Sequence, residues 1–485
     1  MTELVLGVDL GTTATKVVAV DRAFAVVDTV ETGYALHTGP HGEAEQDPAE
    51  VLAAAREAVG TATERARARG DEVLGLSFSA ALHTLLALDD SGRPLTRALS
   101  WGDTRAAETA ARIRTETQGA LHRATGTPVH PMSPLVKLAW FAEHEPELHA
   151  RARHWCGLKD YVLADFTGRL VTDLSVASAT GLLDLNTRDW HAGALRVAGI
   201  GPDQLPELVE PTAVLELAEP VGGLPNGLPV IAGAGDGPLA NLAVGAVTPG
   251  TAALSVGTSG ALRVAHTEPV VDEQCALFCY LLAEDLWVLG GAISNGGVVA
   301  AWAADLFGPA PLGTLLTEAA EVPPGARGVL AVPHLLGERA PWWDAAGHGA
   351  LLGLRRDHRR ADVVRALVEG VGHQLAMVRD AVLAADVDIT EVRATGGAFR
   401  GPLWAEVLAA VLGVELHIGS DRSGSGFGAA LLAWRALGGL DSLSRAAELA
   451  GHERTIIPDP VATQWMADAH PKVIDIFRVV RDLTG

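Results

Sequence analysis

Residues Leu6-Gly7-Val8-Asp9-Leu10-Gly11-Thr12-Thr13-Ala14-Thr15-Lys16 run from an apolar strand into a Gly-Thr turn, and Val17, Val18 and Val20 continue beyond it. A second stretch, Ala253-Leu254-Ser255-Val256-Gly257-Thr258-Ser259-Gly260, repeats the arrangement and leads into Leu262 and Val264. A turn of small residues presents backbone N–H groups and hydroxyls with no bulk between them, which is what a polyphosphate requires. Two such turns, one in each half, predict a nucleotide held between two related domains. The division is expected after Val247, giving domains of residues 1–247 and 248–485. Gly11, Thr12 and Thr13 would meet the β- and γ-phosphates from one side, Gly257 and Thr258 from the other. Lys16 joins them unless hairpin alternation sends it to solvent. Only the first turn carries an acid, so a magnesium ion is expected beside Asp9, held through water because Mg²⁺ gives up its hydration shell reluctantly.

Composition narrows the partners. A chain of 485 residues exceeds one compact core, so two domains are the default. The net charge of −22 repels nucleic acid and anionic lipid, leaving a small molecule as the expected partner and no membrane or nucleic-acid role. The same field repels an anionic substrate, so a site for one needs local cations. Cys156, Cys275 and Cys279 make no disulfide framework and have no spacing for a zinc site. No leader-like apolar stretch precedes Glu3, so a cytoplasmic protein is expected. A homodimer is compatible with the sequence, which does not specify assembly.

Strands interleaved with helices in both halves predict an α/β architecture. Strands are expected at Glu3–Asp9, Thr15–Asp21, Ala25–Thr32, Glu72–Phe78 and Leu228–Ala232. Asp47 and Pro48 open a helix to Arg69 with a capping pattern at Glu50. The Pro- and Gly-rich run 202–229 reads as a surface connection. In the second half, Trp287–Gly291 and Glu391–Thr395 read as strands. Gly296–Phe307, Arg360–Ala385, Pro402–Leu412, Ala429–Leu437 and Val473–Leu483 read as helices.

Three further groups carry chemistry. Asp236 follows a buried strand and sits among Gly233, Gly235 and Gly237, which leave its carboxylate uncovered. It either caps the next helix or accepts the proton of a substrate hydroxyl in phosphoryl transfer, and the two roles can coexist. Ala394-Thr395-Gly396-Gly397-Ala398-Phe399-Arg400-Gly401 is a strand–turn–helix whose glycines admit a flat purine or a ribose. His83, Trp101, Asp103, Arg105, Lys159, Asp160 and Tyr161 combine acceptors, donors and aromatic rings, the mixture that reads a polyol.

Together these residues resemble the FGGY carbohydrate kinases, ATP-dependent sugar kinases of the actin-like superfamily. Met132 to His144 fits one diagnostic pattern of that family; Gly349–Leu354 with Asp362-Val363 and Ala366–Glu369 fits the other. Ser77–His83, Thr125–Pro134 and Ser175–Leu182 resemble its gluconate kinases. The resemblance implies two ribonuclease-H-like domains around a central cleft, sugar on the N-terminal side and ATP mostly on the C-terminal side. It makes Asp236 the catalytic base and Thr12, Thr13 and Thr258 phosphate contacts. Gly297, Gly397 and Gly401 fall where nucleotide lies against backbone, Gly401 standing where some members carry Asn. The implied reaction is ATP-dependent phosphorylation of D-gluconate to 6-phosphogluconate, with Lys159, Arg105 and His83 expected at the carboxylate. A pentulose kinase and a sugar-independent actin-like ATPase are the alternatives. A sugar-responsive regulator lacks a basic DNA-binding segment ahead of Leu4.

Overall fold

The computed structural model describes residues 2–308, 311–419 and 424–484. Its first sheet is built from β1 (Glu3–Leu10), β2 (Ala14–Asp21), β3 (Val26–Gly33), β4 (Glu72–Ala80), β5 (Val214–Glu216) and β6 (Pro229–Gly235), with α1 (Pro48–Arg69) between β3 and β4. The strand order is β5-β6-β4-β1-β2-β3. The β1–β2–β3 meander is antiparallel, and β4 and β6 then add in parallel on the other side of β1. Helix α2 (Asp236–Ala243) leaves the end of β6 directly.

The second half repeats the plan with β7 (Thr251–Val256), β8 (Gly260–His266), β9 (Phe278–Ala283), β10 (Leu286–Ile293), α3 (Val298–Leu306), α4 (Arg360–Ala384), β11 (Glu391–Thr395), α5 (Pro402–Leu412), β12 (Leu416–Gly419), α6 (Gly424–Ala436), β13 (His452–Ile456) and α7 (Pro460–Thr484). Here the order is β9-β10-β8-β7-β11-β12-β13. Again β7 pairs antiparallel with the following strand and parallel with β11 and, beyond it, β12. Both sheets therefore share one five-strand plan, and each opens with a Gly-Thr turn after its first strand.

Strand alternation decides what covers each face. Leu4, Leu6 and Val8 pack with Val51, Ala55, Ala58 and Val59 of α1. Val5, Val18 and Ile231 face the other way, onto Leu239 and Leu242 of α2 and Phe427, Leu431 and Trp434 of α6. Burying each of the larger side chains contributes about 1.5–3 kcal/mol. Helix α6 belongs by sequence to the second half yet packs on the first sheet. Backbone meets backbone there: a Cβ at Gly7 would lie 1.9 Å from Gly426 O.

Several elements differ from the sequence expectation. Within 202–229 the chain forms Glu207–Val209 and β5, three-residue strands too short to show a period. Helix α6 begins five residues before Ala429, because Gly424, Gly426 and Gly428 look like helix breakers until the close packing of Gly426 on Val18 and of Gly428 on Leu239 is seen. Helix α7 begins at Pro460 and carries Pro471 inside it, where a break was expected. The three cysteines are free. Among the described residues no helix is long and apolar enough to cross a membrane.

Candidate active site

The turns at the carboxyl ends of β1, β4, β6 and β7 converge, as ligand-binding loops do in sheets with parallel strands. They line a cavity of about 500 Å³ with Thr12, Leu82, His83, Trp101 and Asp236 from the first half and Ser255, Gly257, Arg263, Tyr280 and Arg339 from the second. A second cavity of about 660 Å³ adjoins it through Gly257 and is lined by Thr258, Gly297, Val298, Gly397, Arg400, Gly401 and Trp404. All five second-half residues assigned to the nucleotide from sequence thus border one connected space.

Both Gly-Thr turns are braced through their carbonyls. Tyr34 Oη donates to Gly11 O at 2.6 Å, and Gln46 Nε2 donates to Gly11 O and Thr12 O at 3.0 and 3.1 Å. Opposite, Gly297 N donates to Gly257 O at 2.6 Å, and Gly296 N to Thr258 O at 3.0 Å. The carbonyls are occupied, and the amides of Thr12 and Thr13 have no acceptor among the described residues. A Cβ at Gly257, Gly397 or Gly401 would meet nothing within 4 Å, so these backbones stand open to a ligand. Gly396 has φ of 113°, and a Cβ there would sit 2.3 Å from Val256 O; only glycine lets the β11 turn close against β7.

Asp236 is the first residue of α2. Its Oδ1 accepts from Gly237 N at 2.8 Å and Leu82 N at 3.4 Å, while Oδ2 has no protein partner among the described residues. Burial, reinforced by the Asp9 charge, pushes its pKa up to about 6, against the pull of the Gly237 amide and Arg263. A carboxylate poised there is ionised at neutral pH yet basic enough to accept a proton.

Asp9 lies across the β1–β4 ladder from Ser79, whose hydroxyl donates to its Oδ1 at 2.7 Å. Burial raises its pKa, with Ser79, Ser425 and Lys16 pulling back. No group of three or more metal-ligating side chains exists among the described residues. One carboxylate carrying a burial penalty, next to an open phosphate turn, suits Mg²⁺, which takes one or two protein carboxylates and completes its shell with water and phosphate.

His83 has a left-handed backbone, φ 69°, a conformation costly for a non-glycine residue and retained where surroundings enforce it. The enforcement is visible: Lys137 Nζ donates to His83 O at 2.6 Å, and His83 Nδ1 donates to Ala179 O at 2.8 Å. Burial and the Lys137 charge push the imidazole pKa down to about 3, so it is neutral and its Nε2 is an acceptor. Trp101 Nε1 donates to Thr12 Oγ1 at 3.2 Å, which ties this wall of the cavity to the first Gly-Thr turn.

The other substrate candidates are elsewhere, and three expected cations are corrected. Lys159 Nζ lies 2.5 Å from Asp173 Oδ2 and 3.0 Å from Ala232 O, with both charged side chains buried; its charge is already matched. Arg105 pairs with Asp103 at 2.7 Å and Glu45 at 2.5 Å, so neither it nor Asp103 is free. His83 lines the cavity but is neutral, so it brings no charge for a carboxylate. Asp160 Oδ2 accepts from Gly157 N at 2.8 Å and closes its own helix, and Tyr161 packs on the first core. Lys16 is half-buried opposite Asp9 and does not line the cavity. Sequence reasoning missed Arg263, Tyr280 and Arg339. A charge inside the apolar run Ala261-Leu262-Arg263-Val264 was the one visible signal; Arg339 reaches the site from a loop with no such mark.

Comparison with known proteins follows the geometry. Residues 4–243 match the N-terminal domain of the FGGY family of carbohydrate kinases and residues 252–437 match its C-terminal domain. A gluconokinase of Bacillus licheniformis is 35% identical over 99% of this chain and 97% of its own. A xylulose kinase of Escherichia coli is 30% identical over 89% and 88%. Among solved structures, a gluconate kinase from Lactobacillus acidophilus superposes with TM-score 0.93 at 30% identity, covering 100% and 99% of the two chains. A ligand-bound xylulose kinase from the same organism gives 0.92 at 31%, covering 99% and 98%. With the two half-sheets, the paired turns and matches spanning nearly its whole length, the chain belongs to the FGGY family of carbohydrate kinases.

Proposed function

We propose that this carbohydrate kinase transfers the γ-phosphoryl group of ATP to the terminal hydroxyl of D-gluconate, giving 6-phosphogluconate. The observation that carries the reading is the meeting of Asp236, Thr12 and Gly257 in one cavity shared by the two halves. Asp236 accepts the hydroxyl proton through its unoccupied Oδ2 as the substrate oxygen attacks phosphorus. The Gly237 and Leu82 amides hold Oδ1 and keep the carboxylate aimed. Amides and hydroxyls of the two Gly-Thr turns receive the β- and γ-phosphate oxygens, and the second cavity takes the nucleoside against Gly297, Gly397 and Gly401. Asp9 would hold Mg²⁺, whose chemistry is to offset phosphate charge. His83 Nε2 accepts from a sugar hydroxyl, and Trp101 covers C–H faces beside it. Gluconate is favoured over a pentulose by the gluconokinase likeness across the full chain.

Coupled ADP release against gluconate, xylulose, ribulose and glycerol at equal ATP tests this. Gluconate should give the highest kcat/KM, with little ADP release when sugar is omitted. A higher kcat/KM for xylulose would transfer the chain to the pentulose kinases, and sugar-independent ATP turnover would remove it from sugar phosphorylation.

A further inference from the structure

The cavity holds two guanidinium groups, and they are differently matched. Arg263 donates from Nε to Asn241 Oδ1 at 2.9 Å and from Nη2 to Ser255 Oγ at 3.3 Å, and Asp236 is the charge that stabilises it. Arg339 reaches in from the loop after residue 332. Its Nη2 donates to Ile293 O at 2.8 Å, and its Cζ lies 5.0 Å from the centre of the Trp101 ring. It makes no ion pair among the described residues, and its Nε has no partner. The nearby Tyr280 hydroxyl, also buried, has none either. Asp236 is the one carboxylate lining this cavity among the described residues, and it faces Arg263 as well. With His83 neutral, the lining carries one net positive charge inside a chain of net charge −22. Like charges left together in a partly buried space are unfavourable unless an anion joins them. An aldonate brings one carboxylate, whereas Arg105 and Lys159 are already neutralised by their own partners.

We propose that Arg339 is the specificity-determining residue that receives the substrate carboxylate, so that this chain selects sugar acids over neutral sugars of the same hydroxyl pattern. This rests on the gluconate reading above. Trp101 holds the guanidinium by cation–π contact, and the Ile293 carbonyl fixes its orientation. The γ-phosphoryl group of ATP is the other anion that could reach the same guanidinium, so the experiment separates the two.

Steady-state kinetics of Arg339→Gln and Arg339→Lys should be measured with gluconate and with ATP as varied substrates. D-glucitol, which replaces the carboxylate by a neutral CH₂OH group, serves as a competitor against gluconate. In Arg339→Gln the gluconate KM should rise about 30- to 100-fold, the loss of a charge-assisted bond. The glucitol inhibition constant and the ATP KM should stay within about threefold. Arg339→Lys should recover part of the gluconate affinity, and an unchanged ATP KM in either variant certifies that the protein is folded. Equal weakening of gluconate and glucitol would overturn the proposal in favour of a steric role. A raised ATP KM with unchanged gluconate KM would overturn it in favour of phosphate contact. Should the unaltered enzyme prefer xylulose to gluconate, the gluconate reading fails first, and that result is separate from the behaviour of the variants.

Discussion

Replacing Asp236 by Asn should cost the enzyme its turnover and make it harder to unfold. The amide keeps an oxygen where Oδ1 accepts from Gly237 N and Leu82 N, so the start of α2 is preserved. What changes is the charge. The Asp236 carboxyl moves from a usual pKa of 3.8 to about 6 on folding, mainly through burial. Because the folded state binds its proton more tightly, the ionised form is penalised there. The penalty is absent below the unfolded value, grows as pH rises between the two values, and is complete above about pH 6. It corresponds to about 3 kcal/mol at most, reduced because the carboxylate borders an open cavity. Asn escapes it, so thermal unfolding at pH 7 should shift upward by about 3 °C at most for a chain of this length, and by almost nothing at pH 4. Turnover should fall by about 10²- to 10⁴-fold, the usual contribution of a positioned base. Melting curves at the two pH values and a coupled ADP assay measure both. A variant that keeps more than about a tenth of its turnover has no need of this base, and one that melts earlier at pH 7 than its parent would refute the burial argument.

The same carboxylate predicts that kcat/KM rises with pH around about pH 6, gaining roughly tenfold between pH 5 and pH 7 as the base ionises, and a pH–rate profile checks this. In Asp9→Asn that limb should move to lower pH, since the Asp9 charge helps raise Asp236, and half-saturation by Mg²⁺ should need more metal. Lys159→Met strands the buried Asp173 carboxylate, so stability should drop by about 3–5 kcal/mol in chemical denaturation, while the gluconate KM of the folded enzyme stays unchanged. A raised KM there would return Lys159 to the substrate site.

The turns were legible because their signal is local. An apolar strand, a Gly-Thr pair and a second apolar strand occupy a dozen residues, and β1–β2 and β7–β8 follow that text closely. Asp236 was legible for a like reason, lying between a buried strand and a helix start. The cations were not. Whether an arginine or lysine is free depends on which carboxylate the fold brings within ion-pair distance: Asp173 for Lys159, Glu45 for Arg105 and, among the described residues, none for Arg339. Those partners are set by tertiary packing, which leaves no periodicity in the chain. The glycines of α6 misled for the opposite reason. Their local propensity argues against a helix, and it is overridden by contact with Gly7 and Leu239 that only the assembled sheet supplies.

That borrowed helix has a bearing on how the chain is made. During synthesis the first sheet is complete long before Gly424 leaves the ribosome, so Val5, Val18 and Ile231 wait without their cover of Phe427, Leu431 and Trp434. A fragment ending near residue 247 would keep the α2 cover but leave the α6 part of this apolar face bare permanently, and should stick to itself or to chaperones. The enzyme therefore cannot be dissected into a sugar half and a nucleotide half by cutting once; a workable N-terminal piece would have to carry the 424–436 helix spliced onto its end.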